Sequence, residues 1–494
     1  MWSGEEVVVS EEKEERGVCG TERARSIADV QRDVGYTLAA NVVSLKYEEI
    51  PDTVVETTKK IILDTLGVTI GGSGAGTGVK EVVDLVRAGG GAEESTVIGF
   101  DFKTNAWSAA FAMGAMAHAL DYDNVHDDAF THPSSSTVPA ALAVAEWTRA
   151  SGREFITAMA LGDDLHCRLA YSLSRIGDPD RQGLWMPPLV LGGFAAAAVS
   201  ARLLGLDQER IVNAFGITLT RTGGPLEIVI DPGALRGLYA AFPAMTGVLS
   251  ARMAHKGIPG IKTCFEGKAG LYNTYFRGIY DRESLTKDLG RFFEGAGVSF
   301  KPWPSCRFTN PYVDATLQIV REQNILPKDI AEIRAHYEAE NVRNCCEPVA
   351  ARQRPQSPPE AKLSLPFTIA MAAALRKMEI GDFSSENIIS EELLDLARKV
   401  IPIYDPSLKS NSKTMLPAVV EIMTYDGSVF SKRVDLVYGH PNNPMSWDDL
   451  IRKFKDCASY SARQIPRNNI DRAIEKILNL EHILDVSEII DLVK

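Results

Sequence analysis

The sequence has no long uninterrupted apolar run, no excess of basic residues and few cysteines. Its longest stretch without Asp, Glu, Lys or Arg covers residues 182–201 and contains Pro187 and Pro188, which favours a buried helix after the proline pair over a membrane span. The net charge of −12 disfavours a nucleic-acid partner, because such a partner requires a basic face. We therefore expect no membrane and no nucleic acid among the partners.

The seven cysteines are scattered without the spacing of metal ligands. Because the N-terminus also lacks the pattern of a signal peptide, we expect reduced thiols in a cytoplasmic protein. We expect an amphipathic helix to end at Gly71-Gly72, the first two glycines of the glycine-rich stretch 71–78. This stretch lacks the spacing of a phosphate-binding loop. We interpret it as a helix–helix connection, and no cofactor follows from it.

The hydrophobic pattern changes twice along the chain. Residues 30–296 are helical almost throughout, and several helices are rich in Ala and Gly on all sides, as in a closely packed core. Residues 297–440 mix helices with alternating stretches, including a hairpin around Asp426-Gly427. The sequence thus predicts a mostly α protein: a flexible arm at 1–29, a large all-α domain at 30–296, a smaller α+β lid at 297–440, and helices at 441–494 that return to the first domain.

Residues 121–133 are the stretch most dense in ionisable groups. Asp121, Asp123, His126 and His132 follow the uncharged, apolar run 106–120, so a buried helix delivers them towards the interior. Carboxylates and imidazoles near a core are suited to acid–base chemistry. Two alternatives stay open at this point: a metal site, for which the ligand types suffice in number, and a solvated helix cap.

A second informative segment covers residues 300–308, where the helical part gives way to the mixed part. It is rich in proline and contains Lys301, Cys306 and Arg307. Domain junctions favour pockets, and a fixed Lys–Arg pair can hold carboxylates. We therefore predict a carboxylate-binding loop here, with a solvated surface loop as the alternative.

The chain resembles the MmgE/PrpD family over about residues 35–460. The resemblance rests on ordered segments that match family motifs: His118-Ala119-Leu120-Asp121-Tyr122-Asp123, Thr131-His132-Pro133-Ser134, Leu204-Gly205-Leu206-Asp207, Asn213-Ala214-Phe215-Gly216-Ile217, Phe265-Glu266-Gly267, the loop from Lys301 to Phe308, and Ala361-Lys362-Leu363-Ser364-Leu365-Pro366. It implies a homodimer with an active site between an all-α domain and a lid, without an organic cofactor; we also expect no metal there. By position it assigns Asp121, His132 and Lys301 to that site.

The chain also departs from the pattern of the decarboxylases in this family. Met186 stands where they have a second active-site histidine, Arg236 and Tyr239 replace a lysine and a histidine, and Asn310 replaces a histidine of many relatives. The resemblance therefore implies a pocket with fewer imidazoles, in which Met186 cannot transfer a proton.

Our hypothesis is an enzyme, a lyase or epimerase, that moves a proton at a carbon next to a carboxylate of a small acid. His132 acts as general acid or base and is oriented by Asp121. Lys301, with Arg236 or Arg307, neutralises a substrate carboxylate, and Tyr239 donates a proton or a hydrogen bond. The remaining candidates for contact with the substrate are Met186, His126 and Cys306. Two alternatives are a metal-dependent hydrolase or lyase built on the Asp121–His132 cluster, and an acid-binding protein with altered chemistry.

Overall fold

The computed structural model describes residues 33–174, 184–231, 235–408 and 417–494. The arm predicted at residues 1–29 lies outside these ranges. Within them the protein is mostly helical with small sheets, as predicted. No helix in the described ranges combines the length and the apolar character that crossing a membrane requires.

Long helices with small apolar side chains dominate the first half of the chain. They are α1 (Val34–Ser44), α2 (Asp52–Ala75), α3 (Val79–Gly89), α4 (Ala106–Ala119), α5 (Ser134–Thr148), α6 (Gly152–Ser174), α7 (Pro187–Leu203), α8 (Gln208–Leu219), α9 (Glu227–Ile230), α10 (Leu238–His255), α11 (Leu271–Phe276) and α12 (Arg282–Thr286). A two-stranded hairpin, β1 (Ser95–Val97) with β2 (Phe102–Thr104), precedes α4.

The second half mixes strands and shorter helices. In chain order these are α13 (Asn310–Glu322), β3 (Ile330–Tyr337), α14 (Glu340–Cys346), α15 (Val349–Arg352), α16 (Pro358–Lys362), α17 (Leu365–Leu375), α18 (Ser385–Ile388), α19 (Glu391–Arg398), β4 (Val400–Tyr404), β5 (Ala418–Thr424), β6 (Val429–Val434), α20 (Trp447–Ser459), α21 (Arg467–Leu478) and α22 (Ser487–Val493).

The four later strands form one sheet in the order β4-β3-β5-β6. Strand β3 pairs in parallel with β4 and antiparallel with β5, and β5 pairs antiparallel with β6. Asp426 and Gly427 connect β5 to β6, with Gly427 at φ +89°, so the predicted hairpin is confirmed. The sheet buries one face against α13 and α17, which gives this part its own apolar core.

The C-terminal helices pack into the core of the first half. Leu450 and Phe454 of α20, Ile474 of α21 and Ile490 of α22 belong to the same buried cluster as residues of α2, α4 and α5. The larger core is thus built from both ends of the chain, and the sheet-containing part is inserted between them.

The prediction that the second helix ends at Gly71-Gly72 is wrong, because α2 continues to Ala75. These glycines are places of close packing. A Cβ on Gly72 would lie 2.1 Å from the carbonyl oxygen of Met116, and one on Gly71 would lie 3.0 Å from that of Cys457. The glycines therefore let α2 approach α4 and α20 within the helix, without breaking it.

Candidate active site

The candidate site begins where α4 ends. Asn105 caps the first turn of α4 by accepting a hydrogen bond from the amide of Ser108, and the helix is apolar on all sides, so it lies deep in the core. Its last residues carry His118 inward. Asp121, directly after the C-cap Leu120, has φ +52°, a left-handed conformation that Asp tolerates better than most residues. The chain turns sharply here and brings Asp123 back under His118.

Two imidazoles share the buried carboxylate of Asp123. The Nδ1 atom of His118 lies 3.0 Å from both carboxylate oxygens, and the Nδ1 atom of His132 lies 3.0 Å from Oδ2. His132 Nδ1 also lies 3.0 Å from the carbonyl oxygen of Asn124. The ring centroids of the two histidines are 5.0 Å apart. We call His118, Asp123 and His132 the imidazole–carboxylate cluster.

The hydrogen bonds determine which nitrogen of each imidazole can react. Each Nδ1 faces an ionised carboxylate, so each Nδ1 carries a hydrogen and donates it. The Nε2 atom of His132 is then the proton-accepting atom. Burial lowers the pKa of His132 against the opposing effect of Asp123, which keeps this base neutral near pH 7.

Lys301 forms a second ionic pair beside the cluster. Its Nζ donates to the side chain of Asp121 at 2.6 Å and to the carbonyl oxygen of the same residue at 2.9 Å. Both contacts fix the left-handed turn at Asp121. Burial alone would raise the pKa of Asp121, but the charges of Lys301, His118 and His132 hold it well below its usual range.

The prediction that Asp121 orients His132 is therefore wrong, because His132 contacts a different aspartate. Asp123 makes that contact, while Asp121 is engaged by Lys301. The physical reason is the turn at Asp121, which directs its carboxylate to the lid and leaves the next acidic side chain under the imidazoles. Although burial would raise the pKa of Asp123, His118 and His132 hold it well below its usual range.

Tyr239 and Arg236 approach the cluster from α10 and the residues before it. The ring of Tyr239 stacks on His118 with centroids 4.4 Å apart and meets His132 edge-on at 5.9 Å. Burial raises the pKa of Tyr239 well above its usual value, so its hydroxyl keeps the proton at neutral pH. Arg236 lines a cavity of about 230 Å³ between the two halves of the molecule, together with Arg352 and Glu360.

Arg307 is held by the protein itself. Its guanidinium forms a forked pair with Asp127, with both N–O distances 2.7 Å, and Ser299 donates to the same carboxylate. This pair ties the 300–308 loop to the loop that follows α4. Arg307 therefore already has a carboxylate partner in this structure, which argues against the predicted role of holding a substrate carboxylate.

The remaining predicted residues, His126, Met186 and Cys306, make contacts outside the imidazole–carboxylate cluster. His126 is buried and accepts a hydrogen bond from the amide of Ala129 at 3.1 Å, so it closes the 126–131 loop. Met186 stands at the N-terminus of α7, half-buried, and its amide donates to Gly224. Cys306 is half-buried in the 300–308 loop, with its sulfur 3.9 Å from that of Cys345.

Sequence reasoning missed two residues of the site, His118 and Lys362. His118 is a lone imidazole in the last turn of an apolar helix and lies five residues before Asp123, which is the signal that could have identified it. Lys362 reaches from the lid to donate to the carbonyl oxygen of Leu120 at 3.0 Å, and burial lowers its pKa to about 8. It lines a second interdomain cavity of about 200 Å³.

The imidazole–carboxylate cluster also satisfies a simple geometric requirement for metal binding. One donor atom from each of its residues lies within 4.8 Å of the others. The donor types, two imidazoles and a carboxylate, suit several transition metals. The same three residues equally form a hydrogen-bonded acid–base centre, because both Nδ1 atoms are already engaged with the carboxylate.

Fold and site together place a buried cluster of imidazoles and carboxylates between a helical part and a mixed part. Residues 36–282 match the model of the MmgE/PrpD N-terminal domain, and residues 303–479 match that of the MmgE/PrpD C-terminal domain. The chain belongs to the MmgE/PrpD family. The family resemblance seen in the sequence motifs is thereby confirmed.

Individual relatives share about a quarter of their residues with this chain. Cis-aconitate decarboxylase of Mus musculus is 26% identical over 477 residues, which cover 94% of each chain. The cis-aconitate decarboxylase of Homo sapiens is 26% identical, covering 94% of this chain and 95% of its own length. 2-Methylcitrate dehydratase of Escherichia coli (strain K12) is 24% identical, and the match covers 80% of this chain and 84% of that protein. The prediction of an enzyme is confirmed by these names, and they support the coarser prediction of a dehydratase- or decarboxylase-type lyase.

Proposed function

We propose that the protein is a cofactor-independent lyase that transfers a proton at a carbon next to a carboxylate of a small polycarboxylic acid. The observation that supports this most strongly is the sharing of Asp123 by His118 and His132 beside the buried Lys301–Asp121 pair. The names of the relatives refer to cis-aconitate and 2-methylcitrate, both of which are small polycarboxylic acids.

The proposed chemistry starts at His132. Its Nε2 atom removes the proton from the substrate carbon, and the Asp123 carboxylate stabilises the imidazolium that forms. Tyr239, which keeps its proton at neutral pH, is placed to donate a hydrogen bond or to return a proton. Loss of water and inversion begin with this removal of a proton, whereas loss of CO₂ leaves a carbanion to which the imidazolium or Tyr239 gives a proton. The same residues therefore serve each outcome.

Positive charge at the domain boundary selects an acidic substrate. Lys301 uses two of its three N–H donors on Asp121, and its charge stabilises negative charge that develops on a nearby substrate carboxylate. Arg236 and Arg352 line the 230 Å³ cavity, and Lys362 lines the 200 Å³ cavity. Pro359 lies in the walls of both cavities, so basic side chains line the domain boundary on either side of it.

The experiment incubates the protein with a panel of di- and tricarboxylates in D₂O and follows each acid by proton NMR. We expect deuterium at a carbon next to a carboxylate, with or without loss of water or CO₂. A His132→Asn variant should lose ~100- to 10,000-fold in rate, the usual value of a positioned proton-transfer group. The exposed His255 at the end of α10 supplies the matched control, since His255→Asn should keep the full rate. Thermal stabilisation by an acid that the protein never converts would instead indicate an acid-binding protein with altered chemistry.

A metal-dependent hydrolase or lyase is the second candidate, favoured by the three donor groups within 4.8 Å of one another. Elemental analysis of protein purified without a chelating tag separates the two. The leading proposal requires turnover by protein that holds less than one ion per chain and is unaffected by a chelator. Turnover that follows the ion content would establish the metal-dependent mechanism.

We also propose that the protein is a cytoplasmic homodimer, as the family resemblance implies. Light scattering coupled to size-exclusion chromatography measures the mass directly. A mass of one chain at micromolar concentration would contradict the dimer.

A further inference from the structure

The cysteines in the described part of the chain differ in exposure. Cys306 is partly exposed, whereas the others are buried: Cys167, Cys264, Cys345, Cys346 and Cys457. Solvent access is the first requirement for a reactive thiol, and a positive charge nearby is the second. Cys306 meets both, because Lys301 lies close enough to favour its thiolate.

A second thiol lies directly against Cys306. The sulfur of Cys345, in the last turn of α14, is 3.9 Å from the sulfur of Cys306 and is placed to donate its hydrogen to it. This contact, followed by the charge of Lys301, lowers the pKa of Cys306 although burial and Asp121 oppose the shift. A disulfide bond of about 2.05 Å requires the sulfurs to approach by roughly 2 Å, so bond formation draws Cys306 and α14 towards each other.

We propose that Cys306 and Cys345 are a redox-reactive pair that forms a disulfide when the protein meets a hydroperoxide. The Cys306 thiolate attacks the peroxide oxygen, the O–O bond breaks, and the alcohol or water leaves with the second oxygen. The resulting sulfenic acid is attacked by the Cys345 sulfur, which forms the S–S bond and releases water. Two thiols and one hydroperoxide thus give one disulfide, one alcohol or water, and one further water.

The disulfide would also control the proposed lyase, and this part rests on the proposed function. The Cys306 amide donates to the carbonyl oxygen of Lys362 at 3.0 Å. Lys301 and Arg307, which hold Asp121 and Asp127, lie on the same short loop. Pulling Cys306 towards α14 displaces this loop, so the Lys301–Asp121 pair shifts away from the imidazole–carboxylate cluster. We expect loss of turnover on oxidation and its recovery after reduction with dithiothreitol.

The experiment treats the reduced full chain with hydrogen peroxide, blocks the remaining thiols with N-ethylmaleimide and maps tryptic peptides by mass spectrometry. The expected product joins the peptide that ends at Arg307 to the peptide 344–352, with N-ethylmaleimide on Cys346 and a mass two hydrogens below the sum of the two peptides and this adduct. Because Cys346 lies in the same peptide, two matched variants identify the partner. Cys345→Ser should abolish the cross-link and leave Cys306 over-oxidised, while Cys346→Ser should form it normally.

Peptide mapping tests the pair without any assay of turnover. A wild-type protein whose Cys306 stays free, or ends as sulfinic acid without a cross-link, would overturn the proposal, as would a cross-link that survives in Cys345→Ser. If the cross-link forms but no acid is converted in either redox state, the thiol pair stands and the proposed lyase function fails. If the cross-link forms and turnover persists, the control of the lyase is refuted.

Discussion

Two buried lysine–aspartate pairs lie next to each other in this protein, and they differ in their remaining hydrogen-bonding capacity and in their exposure. Lys301 contacts Asp121, and Lys453 of α20 contacts Asp64 of α2, each with an N–O distance of 2.6 Å. The pairs are directly connected, since the Nζ of Lys453 donates to the carbonyl oxygen of Lys301 at 2.9 Å. Charge, distance and burial of the lysine therefore do not distinguish them.

Hydrogen-bonding capacity and exposure do distinguish them. Lys453 has an acceptor for each of its three N–H donors: Asp64 and the carbonyl oxygens of Tyr122 and Lys301. Asp64 is fully buried, whereas the side chain of Asp121 is 18% exposed. Lys301 keeps one N–H without an acceptor among the described residues, and Asp121 faces two imidazoles. The Lys453–Asp64 pair thus joins elements of the fold, and the Lys301–Asp121 pair retains capacity for a substrate.

The largest effect is expected where the pair is purely structural. Lys453→Met leaves the buried carboxylate of Asp64 without its cation, and breaking such a pair typically costs about 3–5 kcal/mol of the free energy of unfolding. Urea denaturation measures this loss. The double variant Lys453→Met with Asp64→Leu should recover most of it, because no unpaired charge remains. A single variant as stable as the wild type would remove the distinction between the two pairs.

Lys301→Met should act mainly on turnover. We expect a ~100-fold lower rate on a confirmed acid substrate, the order of magnitude for removing one electrostatic donor from a reacting centre. The free energy of unfolding should fall by less than in Lys453→Met, since the partly exposed Asp121 can be hydrated or protonated. The comparison fails if Lys301→Met unfolds as readily as Lys453→Met or retains the full rate.

A third buried carboxylate, Asp163 of α6, has hydroxyl groups in place of a lysine. Ser134 and Thr137 donate to it, and burial raises its pKa to about 7. The folded protein therefore holds a proton that the unfolded chain releases near pH 4, so the stability that Asp163 contributes falls as the pH rises from about 4 to 7, by up to about 1.4 kcal/mol per pH unit. Buried histidines act in the opposite direction, since burial lowers the pKa of His166 to about 3.

Asp163→Asn keeps an acceptor for the hydroxyls and removes this titration. We expect the unfolding free energy of the variant, relative to that of the wild type, to rise between pH 4 and 7 by up to about 1.4 kcal/mol per pH unit, measured by urea denaturation at several pH values. Asp164, whose pKa burial raises to about 6, is present in both proteins and so largely cancels from this difference. A difference that stays constant with pH would show that Asp163 is ionised in the folded protein.

The sequence predicted the class of fold and the main elements well. The structure has helix α4 (Ala106–Ala119) in the uncharged run 106–120, and strands β3, β5 and β6 in the stretches with alternating polarity. The predicted helix end at Gly71-Gly72 failed because tertiary packing decided it. Helices α4 and α20 approach α2 closely at these glycines, and a local pattern contains no information about that approach.

The sequence singled out residues that lie close together in the structure, but it did not predict which of them pair with each other. The order of the family motifs pointed to Asp121, His132 and Lys301. In the structure, Lys301 and Asp121 form an ion pair beside the cluster that contains His132. The choice between Asp121 and Asp123 as partner of His132 depends on a single left-handed residue, φ +52° at Asp121. Spacing along the chain does not reveal that turn. The same turn brings His118 over Asp123, which is why His118 was missed.

The central claim is that Asp123 holds His132 with Nε2 as the base for a substrate proton. The most direct test compares wild type and Asp123→Asn for the rate at which deuterium from D₂O enters a substrate next to its carboxylate. The variant keeps the size of the side chain but no longer requires a hydrogen on both Nδ1 atoms, so the tautomer changes. The account predicts that exchange falls by at least ~100-fold while the protein stays folded. Exchange at the wild-type rate in a folded Asp123→Asn variant would contradict it.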